Sequence, residues 1–290
     1  MPASWRFGVG DVQDEPCPPD TDPFLNGVRF HFRELPTMRP SFVPSLAFAS
    51  FLSAALSASA GRAESTTLPV FADTTISAAA PDNNLGGHTQ ILAGADGSGR
   101  LRRGLLAFDV AGELPAGAVV HSATLYLAAT TANSAAGDFH LHRMLVDWGQ
   151  GTGASASGTP AAIGDATWNS RLHGTAAWSA AGGLAGVDYV ASPSATTFVG
   201  AAGDYAFVGL ASDVQQMLDD PGGNFGWMLV SGREGTPQTA RQFIAGEFGG
   251  ETIPRLEIEY SVVPEPASLT LAASAAIAAI AGVRRRKNES

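Results

Sequence analysis

Hydrophobic and polar positions alternate in short runs through the middle of the chain, and this period of two predicts β-strands. Residues 101–110 read as one strand and 123–128 as the next. On a third, Phe139, Leu141, Arg143 and Leu145 share one face, and His140 and His142 share the other. Later strands are predicted over 205–210, 226–231, 241–245 and 255–260. Gly, Asn, Asp and Pro turns divide these runs, the signature of an all-β sandwich or barrel. One short helix interrupts them: Ser212 or Asp213 caps 214–218, and Pro221-Gly222-Gly223 stops it. Val214, Met217 and Leu218 form its apolar face.

The two ends break this pattern. Residues 1–37 are polar, Pro-rich and irregular, with Cys17-Pro18-Pro19 and a break at Pro36. Met38-Arg39-Pro40 then precedes an apolar run over 42–60, which leaves through Ala58-Ser59-Ala60 and Gly61-Arg62-Ala63. A charged start, a short apolar stretch and small residues at the exit predict a secretory signal peptide over 38–63. Ser and Ala dilute the stretch too much for a good membrane span. Two readings stand for residues 1–37: a mis-called start, with Met38 the true one, or a genuine extra leader.

At the other end, Pro264-Glu265-Pro266 is followed by an apolar run of 15 residues, 269–283, and by Arg284-Arg285-Arg286-Lys287. An apolar helix closed by a basic cluster predicts a transmembrane segment with its positive end in the cytoplasm. The run is short against the roughly 20 residues of a stable span, which suits a segment held briefly and then cut. Pro264, Glu265, Pro266, the short helix and the Arg284, Arg285 and Arg286 cluster resemble the PEP-CTERM sorting signal of Gram-negative bacteria. The resemblance covers residues 263–290 and implies recognition by an exosortase-type membrane enzyme, cleavage near Pro-Glu-Pro, and delivery to the cell surface or extracellular matrix. A plain membrane anchor is the alternative.

Composition narrows the classes. The 290 residues are 45% hydrophobic and only 15% charged, with 34 Gly and 18 Pro, which excludes a coiled coil, a disordered acidic tail and an ordinary helical bundle. The net charge is −10, so no nucleic-acid partner is expected. Residues 64–263 hold 19 acids against 8 Arg and contain neither Lys nor Cys. Cys17 alone makes no internal disulfide. The stretch 64–262 has the size of one domain.

Within that domain the order of pieces resembles the DNRLRE domain. The pieces are Asp73-Thr74-Thr75-Ile76, Asn84-Leu85-Gly86, 102–109, Leu114-Pro115-Ala116-Gly117, 122–127, Ala166-Thr167-Trp168-Asn169 with Trp178, the Asp213 helix leading to Asn224-Phe225-Gly226-Trp227, and 254–260. The resemblance implies a secreted, jelly-roll-like antiparallel β-sandwich, a type often appended to polysaccharide-degrading enzymes and in part classed as carbohydrate-binding, alginate-type polymers included. This chain departs from it in carrying no attached enzyme and in its Gly/Ala/Ser-rich stretch over 149–164.

Catalytic signatures are scarce. With Lys only at 287, neither a phosphate-binding loop nor a Schiff-base lysine exists in the domain, and Gly-x-Ser-x-Gly and His-Glu-x-x-His are absent. No enzyme is therefore expected. The aromatic residues are the better lead: Trp148, Trp168 and Trp178 lie in or beside a loop-rich stretch, and flat rings suit the C–H faces of sugars. Their competing role is to plug the core or pin the loop. Trp227 alternates inside a strand and reads as core. Arg100, Arg102 and Arg103 suit either uronate sugars or neighbouring carboxylates. His140 and His142, with His121 nearby, have the period of a metal site, or are ordinary strand histidines. Asp219, Asp220 and Asn224 are a solvated loop or a cation site. A secreted sandwich without disulfides needs another staple; calcium is the candidate cofactor, with Asp73, Asn84 and Asp109 as ligands by type. The expectation is a non-catalytic protein of the cell surface or biofilm matrix that binds extracellular polysaccharide. The alternatives are a purely structural surface protein without a sugar site, and a polysaccharide lyase or hydrolase.

Overall fold

The computed structural model describes residues 63–130, 134–250 and 252–262. The expected leader over 1–37, the expected signal peptide over 38–63 apart from Ala63, and the expected sorting segment with Pro264, Glu265, Pro266, Arg284, Arg285 and Arg286 lie outside the described residues. Among the described residues no helix is long and apolar enough to cross a membrane.

The chain is all-β, with every strand pair antiparallel. In order come β1 (Ala63–Pro69), β2 (Ala72–Ser77), β3 (Asn83–Asn84), β4 (Gln90–Ala95), β5 (Leu101–Ala107) and helix α1 (Val110–Glu113). Then follow β6 (Ala118–Ala129), β7 (Gly137–Arg143), β8 (Thr159–Pro160), β9 (Ser170–Leu172), β10 (Ala176–Ala177), β11 (Ala195–Val199) and β12 (Gly203–Val208). Helix α2 (Ala211–Asp219) leads to β13 (Trp227–Ser231), β14 (Arg241–Ile244) and β15 (Arg255–Val262). Eleven strands form one hydrogen-bonded network in the order β1-β15-β6-β14-β4-β5-β13-β7-β11, with β12 also on β6 and β2 also on β5. Two small ribbons, β9-β10 and β3-β8, stand apart.

Both wings of this network feed one core. Leu125, Leu127, Phe207, Phe243 and Ile258 come from the β6 wing, and Leu106, Phe139, Leu141 and Leu229 from the β5 wing. Phe139 and Phe243 join them edge to face, with ring centroids 5.4 Å apart. Strand β15 shows the pattern most plainly: Leu256, Ile258 and Tyr260 are buried, while Glu257 and Glu259 face water. The β5 wing is buried on its other face too, where Ile76, Leu105, Met144, Trp178, Tyr189 and Met228 form a second cluster. Residues on β5 and β13 therefore pack both ways, which is why Leu105-Leu106 and Met228-Leu229 read as continuous apolar pairs.

Three expected boundaries shift. The strand beginning at Leu101 ends at Ala107 instead of reaching Val110, because Asp109 Oδ1 accepts from Gly112 N at 3.0 Å and caps α1. A second helix thus joins the single one expected. Helix α2 begins at Ala211 with neither Ser212 nor Asp213 as its cap; Asp213 Oδ2 instead accepts from Trp227 Nε1 at 2.8 Å. Strand β7 ends at Arg143, and Leu145 is exposed.

Candidate functional site

Four connections meet at the Ala107 end of β5. Phe71 lies on the turn between β1 and β2, and its N–H donates to Ala107 O at 2.8 Å. Asp109 caps α1. Asp147 and Trp148 open the loop-rich excursion after β7, and Asn224 and Phe225 lead into β13. Together they line a cleft of about 310 Å³, at the lower end of the range for small-ligand sites.

The rings of this cleft differ in anchorage. Phe71 is 73% exposed. Trp148 is half-buried, packs against the second cluster, and donates from Nε1 to Phe225 O at 2.9 Å. That bond holds the indole where it lines the cleft. The polar lining is rich in acceptors. Asp147 pairs with Arg171. Asn224 donates from Nδ2 to Phe108 O at 2.8 Å, and its buried Oδ1 has no partner. Polar groups beside flat rings suit a ligand that carries both hydroxyls and apolar faces.

The other expected platforms are placed differently. Trp178 is 5% exposed and donates from Nε1 to Thr167 O at 2.8 Å, so it fills the second cluster and offers no face to a sugar. Trp168 is half-buried under the Arg103 guanidinium, 5.7 Å from its ring centre, with Gly182 closing on the ring from another side. Of the three tryptophans, Trp148 alone lines the cleft. Trp227 is fully buried, as its alternation predicts. Phe71 and Phe225 carry no sequence signal of their own; only the folding of three distant turns together reveals them.

The expected uronate cations are occupied. Arg100 and Arg102 meet Asp96, and Arg103 pairs with Glu234 through two bonds of 2.8 Å. Bonds from Ser98 and Arg100 backbone N–H groups, with the Arg102 charge, hold the Asp96 carboxyl below its ordinary range. Arg103 also donates to the carbonyls of Gly182 and Gly183, so it ties the excursion to the sheet. His142 is buried beside Tyr189, at 5.2 Å between ring centres, and its Nδ1 meets Val190 O at 2.9 Å. Burial, with the charges of His140 and Arg103, pushes its pKa down. His140 meets Thr196, whereas His121 lies in β6 against Ser261, so the three histidines do not converge.

The calcium expectation fares similarly. Asp73 is 2% exposed and its Oδ2 accepts from Gly246 N at 2.7 Å. Asn84 is fully buried; it donates to Gln150 O and Ala166 O and accepts from Gly86 N and Gly153 N. Asp109 caps α1. Each is committed to its own backbone partners, and among the described residues no three His, Cys, Asp or Glu side chains gather as a metal group. These three residues do not fit a calcium site. At the end of α2, Asp219 Oδ1 accepts from Gln215 and Asn224 Nδ2 is tied to Phe108 O.

A scan against protein-family models and a search of curated proteins each found no match to this chain.

Proposed function

We propose that this chain is a non-catalytic, exported protein of the cell surface or extracellular matrix whose jelly-roll-like β-sandwich binds polysaccharide in the Trp148 cleft. The observation that carries the reading is a cleft lined by both a largely exposed ring, Phe71, and an indole held in place at Trp148. Exposed aromatic faces with little rotamer freedom are effective anchors for sugar rings. Asp109 and Asp147 both line the cleft, but one serves as a helix cap and the other pairs with arginine. That supports binding over hydrolysis. Targeting through the signal peptide and the Pro264-Glu265-Pro266 segment rests on the sequence motifs.

The test is gel-retardation against neutral and acidic polysaccharides with the full chain. Phe71→Ala and Trp148→Ala are expected to weaken retardation about tenfold or more. Phe71→Ala leaves thermal stability within the error of a surface change, so its loss of binding is not a folding defect. The polymer is expected to elute at its original length; released oligosaccharides would replace this reading with a lyase or hydrolase. Unchanged mobility for wild-type protein on every polymer would favour the purely structural surface protein, which the burial of Trp178 and the capping of Trp168 also support.

A further inference from the structure

Of the eight arginines between residues 64 and 263, Arg100, Arg102, Arg103, Arg143, Arg171 and Arg255 each pair with a carboxylate. Arg233 and Arg241 do not, among the described residues, and both reach one short segment before β7. Arg241 Nη2 donates to Ser134 O at 3.3 Å, and Arg233 Nη1 donates to Ala136 O at 2.9 Å. Arg241 is 2% exposed and lies on the core face of β14, two residues before Phe243. Among the described residues its buried Nε has no partner, and neither has Ser134 Oγ. A guanidinium taken out of water without a counter-charge is strongly unfavourable. The nearby acids do not supply one: Asp96 serves Arg100 and Arg102, Glu234 serves Arg103, and Asp138 is exposed.

Arg241 Nη2 carries a second N–H beyond the one it gives to Ser134 O. Nε and Nη2 form one edge of the planar guanidinium, the edge that grips an oxyanion through two parallel bonds. Ser134, whose carbonyl Nη2 meets, carries an unpartnered hydroxyl donor, and Arg233 brings an exposed second charge to the same segment. We propose that Arg241, Ser134 and Arg233 bind a single oxyanion, a carboxylate or sulfate group. The site lies at the Leu101 end of β5, where Gln238 N donates to Asp96 O. The Trp148 cleft is at the other end of that seven-residue strand, about 20 Å away. The inference therefore stands independently of the polysaccharide reading.

The test is thermal unfolding of the full chain in sodium sulfate, sodium acetate and polygalacturonate, against sodium chloride at matched ionic strength. A saturable rise in Tm above chloride is expected for at least one oxyanion. Arg241→Met is expected to lose that rise and, without anion, to melt at or above the wild type, since an apolar isostere replaces an unpaired buried charge. Arg233→Ala is expected to bind several-fold more weakly, and Trp148→Ala to respond as the wild type does. A response to acetate equal to that of polygalacturonate assigns the site to a free anion; a response to the polymer alone assigns it to an acidic chain. No saturable response in the wild type, or an undiminished one in Arg241→Met, overturns the proposal. Should Arg241→Met fail to fold, unchanged affinity in Arg233→Ala overturns it.

Discussion

Asn84 does more structural work than its small polar side chain suggests. Its amide bridges four backbone groups from three segments, with the Gln150 O bond at 2.7 Å and the Ala166 O bond at 3.0 Å. Asn84→Ala leaves these groups buried and unpaired, so a loss of at least about 3 kcal/mol is expected in chemical denaturation. Asn84→Asp keeps both acceptors but sets a carboxylate against two carbonyls, and is expected to be as damaging. Asp73 carries a different signature. Burial raises its pKa from the ordinary 3.8 to about 7; the Gly246 N–H bond opposes the rise, and Glu247 adds to it. The folded group holds its proton to higher pH than the unfolded chain does, so its contribution to stability is greatest below about pH 4 and falls as pH rises towards 7. Asp73→Asn keeps the bond from Gly246 and faces Glu247 with a donor. Its Tm is expected to exceed that of wild type by several degrees at pH 8, and the gap to shrink at pH 4. Equal gaps at both pH values would remove the carboxyl pair as the cause.

At the scale of elements, strands with one wet face were legible and doubly buried or interrupted ones were less so. β6 and β15 declare themselves through Ala123, Leu125 and Leu127 against Leu256 and Ile258, because water covers their other side. β5 gave its start but not its end, since Phe108 and Val110 continue the apolar pattern into a turn that only the Asp109 cap reveals. The site was legible at Trp148 and illegible at Phe71 and Phe225, because a ring's exposure depends on which distant turns fold beside it. Trp178 and Trp168 show the same limit from the other side. Trp178→Ala is expected to cost about 3–5 kcal/mol, a direct measure of core packing that separates it from Phe71→Ala, which is expected to leave stability unchanged and to weaken only the proposed binding. Denaturant titration of both variants, read beside gel retardation, makes that comparison.

For the whole molecule, the decisive feature is the excursion between β7 and β11. It contains only the short strands β8, β9 and β10 and includes the Gly/Ala/Ser-rich stretch 149–164. In composition it resembles a linker. Yet Asn84 clasps it from one side, Arg103 binds its Gly182 and Gly183 carbonyls, and Trp178 roots it in the second cluster. A Cβ on Gly153 would overlap the carbonyl of Asn84, so small residues are required here by close backbone contact. Gly153→Ala is expected to destabilise by about 1–3 kcal/mol in urea unfolding, an overpacking cost. Proteases test how firmly such a segment is held. A segment of this composition is ordinarily their first target, but here cleavage requires release of the Asn84 clasp and the Arg103 ties. Trypsin is thus expected to spare Arg171 in the native protein and to cut there promptly in the Asn84→Ala variant, so the clasp sets how long the excursion withstands a protease.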